Sequence, residues 1–193
     1  MTRHPILHLE IVDAEGRRLS CAHRVFCALR LRSVALRECC ACARCDAIVD
    51  GEPPAVECAL TPEAEGAGEA LVLHVLDRGV LAIASGSTAL QARRLLVEPG
   101  RRELPVVDAS SHVVGVVRDV DIESHLVVAP ATASPLVIRE SLTVRNALRT
   151  LAAAHLREAT VVDHDGVPIG VFRDLDGLHM LAHRADAAPY RAI

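Results

Sequence analysis

The pattern of apolar and polar positions changes character about a third of the way along the chain. Beyond residue 71 the apolar runs are short and regularly placed. Val80 to Ile83 and Leu136 to Ile138 are each bounded by charged or small residues, which fits strands. A helical spacing follows each run. Ala92, Leu95 and Leu96 supply one apolar face behind Thr88, which with Gln91 three residues on has the form of a capping box; Val144, Ala147, Leu148 and Leu151 do the same behind Thr143. Two further strands come next in each half, LPVVD then VVGVV, and ATVVD then VPIGVF. Turn residues such as Asp163-His-Asp-Gly166 join them. A last short helix is predicted from Asp119 in the first half and Asp174 in the second.

These two halves are one unit written twice. Asp108 and Asp163, Gly115 and Gly170, and Asp121 and Asp176 all stand 55 positions apart, and residues 81–121 laid over 136–176 without a gap give 16 identities in 41 positions. A repeat of this length implies a supersecondary unit whose two copies pack on each other. The order strand, helix, strand, strand, helix resembles the CBS (cystathionine-β-synthase) domain, most clearly in LPVVDASSHVVGVVRDVDI and ATVVDHDGVPIGVFRDLDG. The resemblance implies an α/β (α+β) fold. Two β-α-β-β-α repeats, 71–127 and 128–188, pack as a Bateman module that commonly dimerises and holds adenine nucleotides in its clefts.

In nucleotide-binding members of that family a glycine ends the third strand, a Ser or Thr lies three residues on, and an Asp three further on holds the ribose hydroxyls. Here Gly115 and Asp121 match in the first repeat and Gly170 and Asp176 in the second, while Arg118 and Arg173 replace the hydroxyl residue. The set Gly115, Arg118, Asp121, Gly170, Arg173 and Asp176 is therefore the expected ligand site. A carboxylate near a helix start can accept two ribose hydroxyls, and free amides with an Arg fork attract phosphate. Arg and Asp at i,i+3 can equally pair with each other.

Composition narrows the rest. With 51% apolar residues in 193, the chain can bury a core, but two Phe, one Tyr and no Trp mean that the core is aliphatic and offers no aromatic platform for bases. All 21 basic residues are Arg, and the net charge of -4 argues against a nucleic-acid partner. No apolar run has the length of a signal peptide or a membrane span, so the expected location is the cytoplasm. No nucleophile, phosphate loop or paired carboxylates stand out, and the expected protein is not an enzyme.

The seven cysteines, Cys21, Cys27, Cys39, Cys40, Cys42, Cys45 and Cys58, all precede the repeats. In the cytoplasm they stay reduced, which favours metal binding or redox sensing over disulfides. Cys39, Cys42 and Cys45 form two overlapping C-x-x-C steps, each of which aims two sulfurs at one point, and cysteines on flanking strands can complete a tetrahedral site. The order VFC, LREC-x-x-C, VEC is similar to cysteine-rich segments preceding other CBS pairs. That likeness implies Cys27, Cys39, Cys42 and Cys58 as ligands, with Cys45 as the alternative. A structural zinc is expected because some 50 residues with few large apolar side chains need a staple; an iron-sulfur cluster is the other candidate. The small, acidic segment 61–70 reads as a linker between a β-rich cysteine knuckle (1–60) and the repeats, and 189–193 as a tail.

The resulting expectation is a regulatory CBS pair that binds an adenine nucleotide or related small molecule, forms a homodimer and acts on a partner protein. The alternative is a redox or metal sensor whose cysteines carry the signal, with the CBS pair as dimerisation scaffold.

Overall fold

The computed structural model describes residues 2–13, 16–27, 29–30, 32–51, 54–59, 70–76, 79–97, 103–118 and 136–186. The N-terminal part is a set of antiparallel strands: β1 (Thr2–Val12), β2 (Arg18–Cys27), β3 (Arg32–Ala35), β4 (Cys45–Val49) and β5 (Ala55–Cys58), with one short helix α1 (Leu36–Cys40). The first repeat holds β6 (Gly79–Ala84), α2 (Ala89–Leu96), β7 (Glu103–Val107) and β8 (Val113–Arg118). The second holds β9 (Val137–Arg139), α3 (Val144–Ala153), β10 (Glu158–Val162), β11 (Pro168–Arg173) and α4 (Asp174–Asp186). The helix expected after Asp119, most of the expected linker and the tail lie outside the described residues. Among the described residues, no helix is long and apolar enough to cross a membrane.

Both repeats are built alike because their local signals are alike. Thr88 Oγ1 accepts from the Gln91 amide while Gln91 Oε1 accepts from the Thr88 amide, so the predicted capping box is closed; Thr143 Oγ1 accepts from the Asn146 amide at 3.3 Å. In each repeat the first strand runs parallel to the second and the second antiparallel to the third. The hairpin turns are Asx turns. Asp163 Oδ1 accepts from the Asp165 and Val167 amides, and Asp108 Oδ1 from the Ser110 and His112 amides. Gly166 takes the left-handed conformation this turn requires (φ 86°), and Ser111 is forced into it at the matching place (φ 68°).

The N-terminal strands are not set apart from the repeats. β1 pairs in parallel with β6, from His8 opposite Gly79 to Val12 opposite Ile83, so one sheet runs β3-β2-β1-β6-β7-β8. Odd positions of β1 face the repeats: Leu9 and Ile11 pack with Val80, Ala82, Val107 and Val167, and Leu7 enters the core of the second repeat. That core gathers Phe172, Ile138, Val144, Leu151 and Ile169 around Val72, Leu73 and Leu76, which lie in or just after the short 3-10 helix Val72–Val75. Burial of such side chains contributes about 1.5–3 kcal/mol each. Two polar contacts fix the same docking. Arg24 Nη2 lies 2.6 Å from Asp163 Oδ2, with the Asp163 side chain fully buried, and the Ser33 amide and hydroxyl both donate to the buried Glu140 carboxylate.

Candidate functional site

The second repeat carries an open cleft of about 640 Å³. One wall is a single face of α4, formed by Asp176, His179, Met180 and His183 at helical spacing; Arg173 at the end of β11 and Val75 and Leu76 close the others. α4 starts immediately after β11, so Arg173 and Asp176 come to the same rim. Asp174 and Asp176 occupy the first turn, where the helix dipole favours a carboxylate. Gly177 lets this turn lie close on the core. A Cβ there would stand 2.7 Å from Phe172 Cζ and 3.2 Å from Leu148 Cδ2. The result is a cleft with a carboxylate, a guanidinium and two imidazoles beside apolar Val75, Leu76 and Met180. Such a lining suits an amphiphilic small molecule with hydroxyl and anionic groups.

Of the residues predicted from sequence, the cleft brings together Arg173 and Asp176. Gly170 is buried in the middle of β11, opposite Val161, and Gly115 likewise opposes Val106 within β8; neither ends its strand. Asp121 lies outside the described residues. His179, His183 and Met180 were not among the expected site residues. Their signal was present as i, i+3, i+4 and i+7 spacing from Asp176.

Each of the two arginines pairs across its hairpin. Arg118 opposes Glu103 in register, with Nε 3.8 Å from Oε2, and Arg173 opposes Glu158 at the repeat-related position, with Nε 3.5 Å from Oε2. Beside the backbone bond from the Val113 amide to the Gly166 carbonyl, Glu103 is also a polar link between the repeats. It is 4% exposed and its Oε1 accepts from Thr160 Oγ1 of β10 at 2.9 Å. Burial pushes its carboxyl up to about 7; the Thr160 hydrogen bond and Arg118 pull the other way, and neighbouring Glu158 adds to the rise.

A second, smaller cavity of about 40 Å³ lies at the far end of the N-terminal strands. Cys27, Cys39, Cys42, Cys45 and Cys58 all line it, together with His4. Cys27 ends β2, Cys39 rides on α1, and two successive tight turns, Cys42 amide to Cys39 carbonyl and Cys45 amide to Cys42 carbonyl, carry the C-x-x-C steps round to β4. Cys45 and Cys58 then face each other across β4 and β5. Cys21 and Cys40 stand outside the cavity and are exposed. Burial pushes the Cys39 thiol up to about 12, with the neighbouring Cys45, Cys40, Cys27 and Cys58 adding to it. His4, 8% exposed on β1, was not expected here, since nothing local marks which histidine of the first strand turns inward. No three of these cysteine sulfurs lie within 4.8 Å of one another.

The family described as CBS domain matches the chain twice, at residues 72–128 and 128–183. No curated protein matches it. Among solved structures, CBSX2 in complex with AMP is 27% identical over 60% of this chain and 98% of that one, with a TM-score of 0.53. CBSX2 from Arabidopsis thaliana is 26% identical over 62% and 99%, with a TM-score of 0.54. The CBS domain pair of protein MJ0100 in complex with 5′-methylthioadenosine and S-adenosyl-L-methionine is 18% identical over 61% and 99%, with a TM-score of 0.53, a likeness of fold alone.

Proposed function

Because the chain belongs to the CBS-domain family and carries that domain twice, we propose that it is a non-enzymatic regulatory protein that binds an adenine nucleotide in the cleft of its second repeat. The observation that carries this reading is the meeting of Arg173 and Asp176 on one rim of a cleft large enough for a nucleotide. Asp176 accepts the ribose hydroxyls, Val75, Leu76 and Met180 cover the base, and Arg173 with His179 or His183 faces the phosphate. The AMP complex of CBSX2 supports this choice of ligand. The Glu158 contact leaves Arg173 partly committed, so phosphate contributes less to binding here than it would with a free guanidinium. A thermal-shift panel of adenine and guanine nucleotides tests the reading, since a ligand that binds only the folded state raises Tm. Saturable stabilisation by AMP or ATP supports it, and no shift across the panel refutes it.

Nucleotide in this cleft touches both α4 of the second repeat and the 3-10 helix that opens the first, so binding alters how the repeats pack and thereby signals to a partner protein. Leu175 and Leu178, each 54% exposed on α4, support a homodimer.

The cysteine cavity favours a structural zinc beside this function. Five thiols and His4 line a space suited to one ion rather than to a cluster, and Cys27, Cys39, Cys42 and Cys58 would hold it, with Cys45 able to replace one of them. Zinc supplies the positive charge that lets clustered thiols ionise, and it draws the sulfurs together. If the cysteines instead carry the signal, the protein is a redox or metal sensor.

A further inference from the structure

A third group of donors lies on the β1–β2 ladder, away from the cysteine cavity. His8 stands directly opposite His23, and Glu10 directly opposite Cys21, so all four side chains share one face of the sheet. His8 Nδ1 is 3.2 Å from His23 Nε2 and 3.8 Å from Cys21 Sγ, and the three ligand atoms all lie within 4.8 Å of one another. Bonds of about 2.0–2.1 Å to nitrogen and 2.3 Å to sulfur at tetrahedral angles require donor separations of about 3.4 Å for N···N and 3.6 Å for N···S. The ladder thus sets its donors close to those edges before any ion is bound.

We propose that His8, Cys21 and His23 bind a single divalent ion of the zinc class. Two imidazoles and a thiolate select such a cation over magnesium or calcium, which take oxygen ligands. With His8 Nδ1 on the ion, its other ring nitrogen faces Glu10 Oε2 at 4.0 Å, and Glu10 is itself held by Arg18 Nε at 2.9 Å. Glu10 thus lies near the liganding imidazole but beyond hydrogen-bond distance, and a shift of roughly 1–1.5 Å would let it hold that ring as outer carboxylates hold metal-bound histidines. On binding, the Cys21 thiol gives its proton to solvent. Cys21 and His23 are exposed, and three protein ligands leave the fourth position to water, so the ion is exchangeable, unlike one enclosed in the cysteine cavity. The other group of three, Asp163, His164 and Asp165, is already engaged: Asp163 and Asp165 face Arg24, and His164 contacts Arg32.

The test is Zn²⁺ titration of the reduced, metal-free full-length chain against a competing chromophoric chelator. The wild type is compared with Cys21→Ser, His8→Ala, His23→Ala and Cys39→Ser. Each of the first three variants should lose one binding event, its affinity falling roughly tenfold or more. Cys39→Ser should keep that event whether or not the cysteine cavity binds zinc. Circular dichroism of the metal-free variants checks that these surface changes leave the fold intact. Loss of the same event in His8→Ala and His23→Ala, with unchanged spectra, supports the site. Wild-type stoichiometry and affinity in all three ladder variants would overturn it.

Discussion

Replacing Glu103 by Gln should change how stability depends on pH. Glu103 is buried between the repeats, where Thr160 donates to it, and its carboxyl is raised from 4.5 to about 7 chiefly by burial. The folded protein therefore holds this proton more tightly than the unfolded chain. Below pH 4.5 both states are protonated and the group has no effect. Between 4.5 and about 7 the unfolded chain ionises first and stability falls; above 7 the loss is complete. At about 1.4 kcal/mol per tenfold change in proton affinity the loss reaches about 3 kcal/mol, or roughly 6–12 °C in Tm for a chain of this size. Gln has the shape of the neutral acid, keeps an acceptor for Thr160 and does not titrate. Urea unfolding at pH 5, 6, 7 and 8 should show the two proteins similar at pH 5 and the variant ahead by up to about 3 kcal/mol at pH 8. Parallel curves, or a variant weaker by the same amount at every pH, would show that Glu103 is ionised in the fold and that its contact with Arg118 outweighs its burial.

Three further changes probe the docking, the cleft and the cysteines. Arg24→Ala leaves the Asp163 carboxylate buried without its cation and should cost about 3–5 kcal/mol in denaturant unfolding, less when combined with Asp163→Asn. Gly177→Ala drives a methyl to within 2.7 Å of Phe172 and should lower stability by about 1–3 kcal/mol in the same assay. A strong chelator should lower the Tm of zinc-loaded wild type and added zinc should restore it, while Cys39→Ser should start lower and respond less, through the β1–β2 ladder site alone.

The repeats were legible because their signals are local. Caps at Thr88 and Thr143, turn aspartates at Asp108 and Asp163, and a constant offset of 55 residues need no knowledge of distant contacts. That Cys39, Cys42 and Cys45 lie near one another was legible for the same reason, since each C-x-x-C step closes a tight turn. What escaped depends on register between distant segments. That β1 joins β6, bringing Leu9 beside Val80, follows from a pairing across some 70 residues of chain with no marker in either strand. That Arg118 and Arg173 lie opposite Glu103 and Glu158 follows from hairpin register, which residue spacing alone does not mark. His8, Cys21 and His23 are unremarkable in sequence. Only the β1–β2 register puts them on one face.

The proposed regulatory role depends most directly on nucleotide binding at the second-repeat cleft. Isothermal titration of AMP into wild type and Asp176→Ala, with zinc present throughout, measures it. One saturable site in the wild type, weakened at least tenfold by Asp176→Ala with Tm unchanged, is the predicted result; equal affinity in the two proteins, or no heat in the wild type, would contradict it.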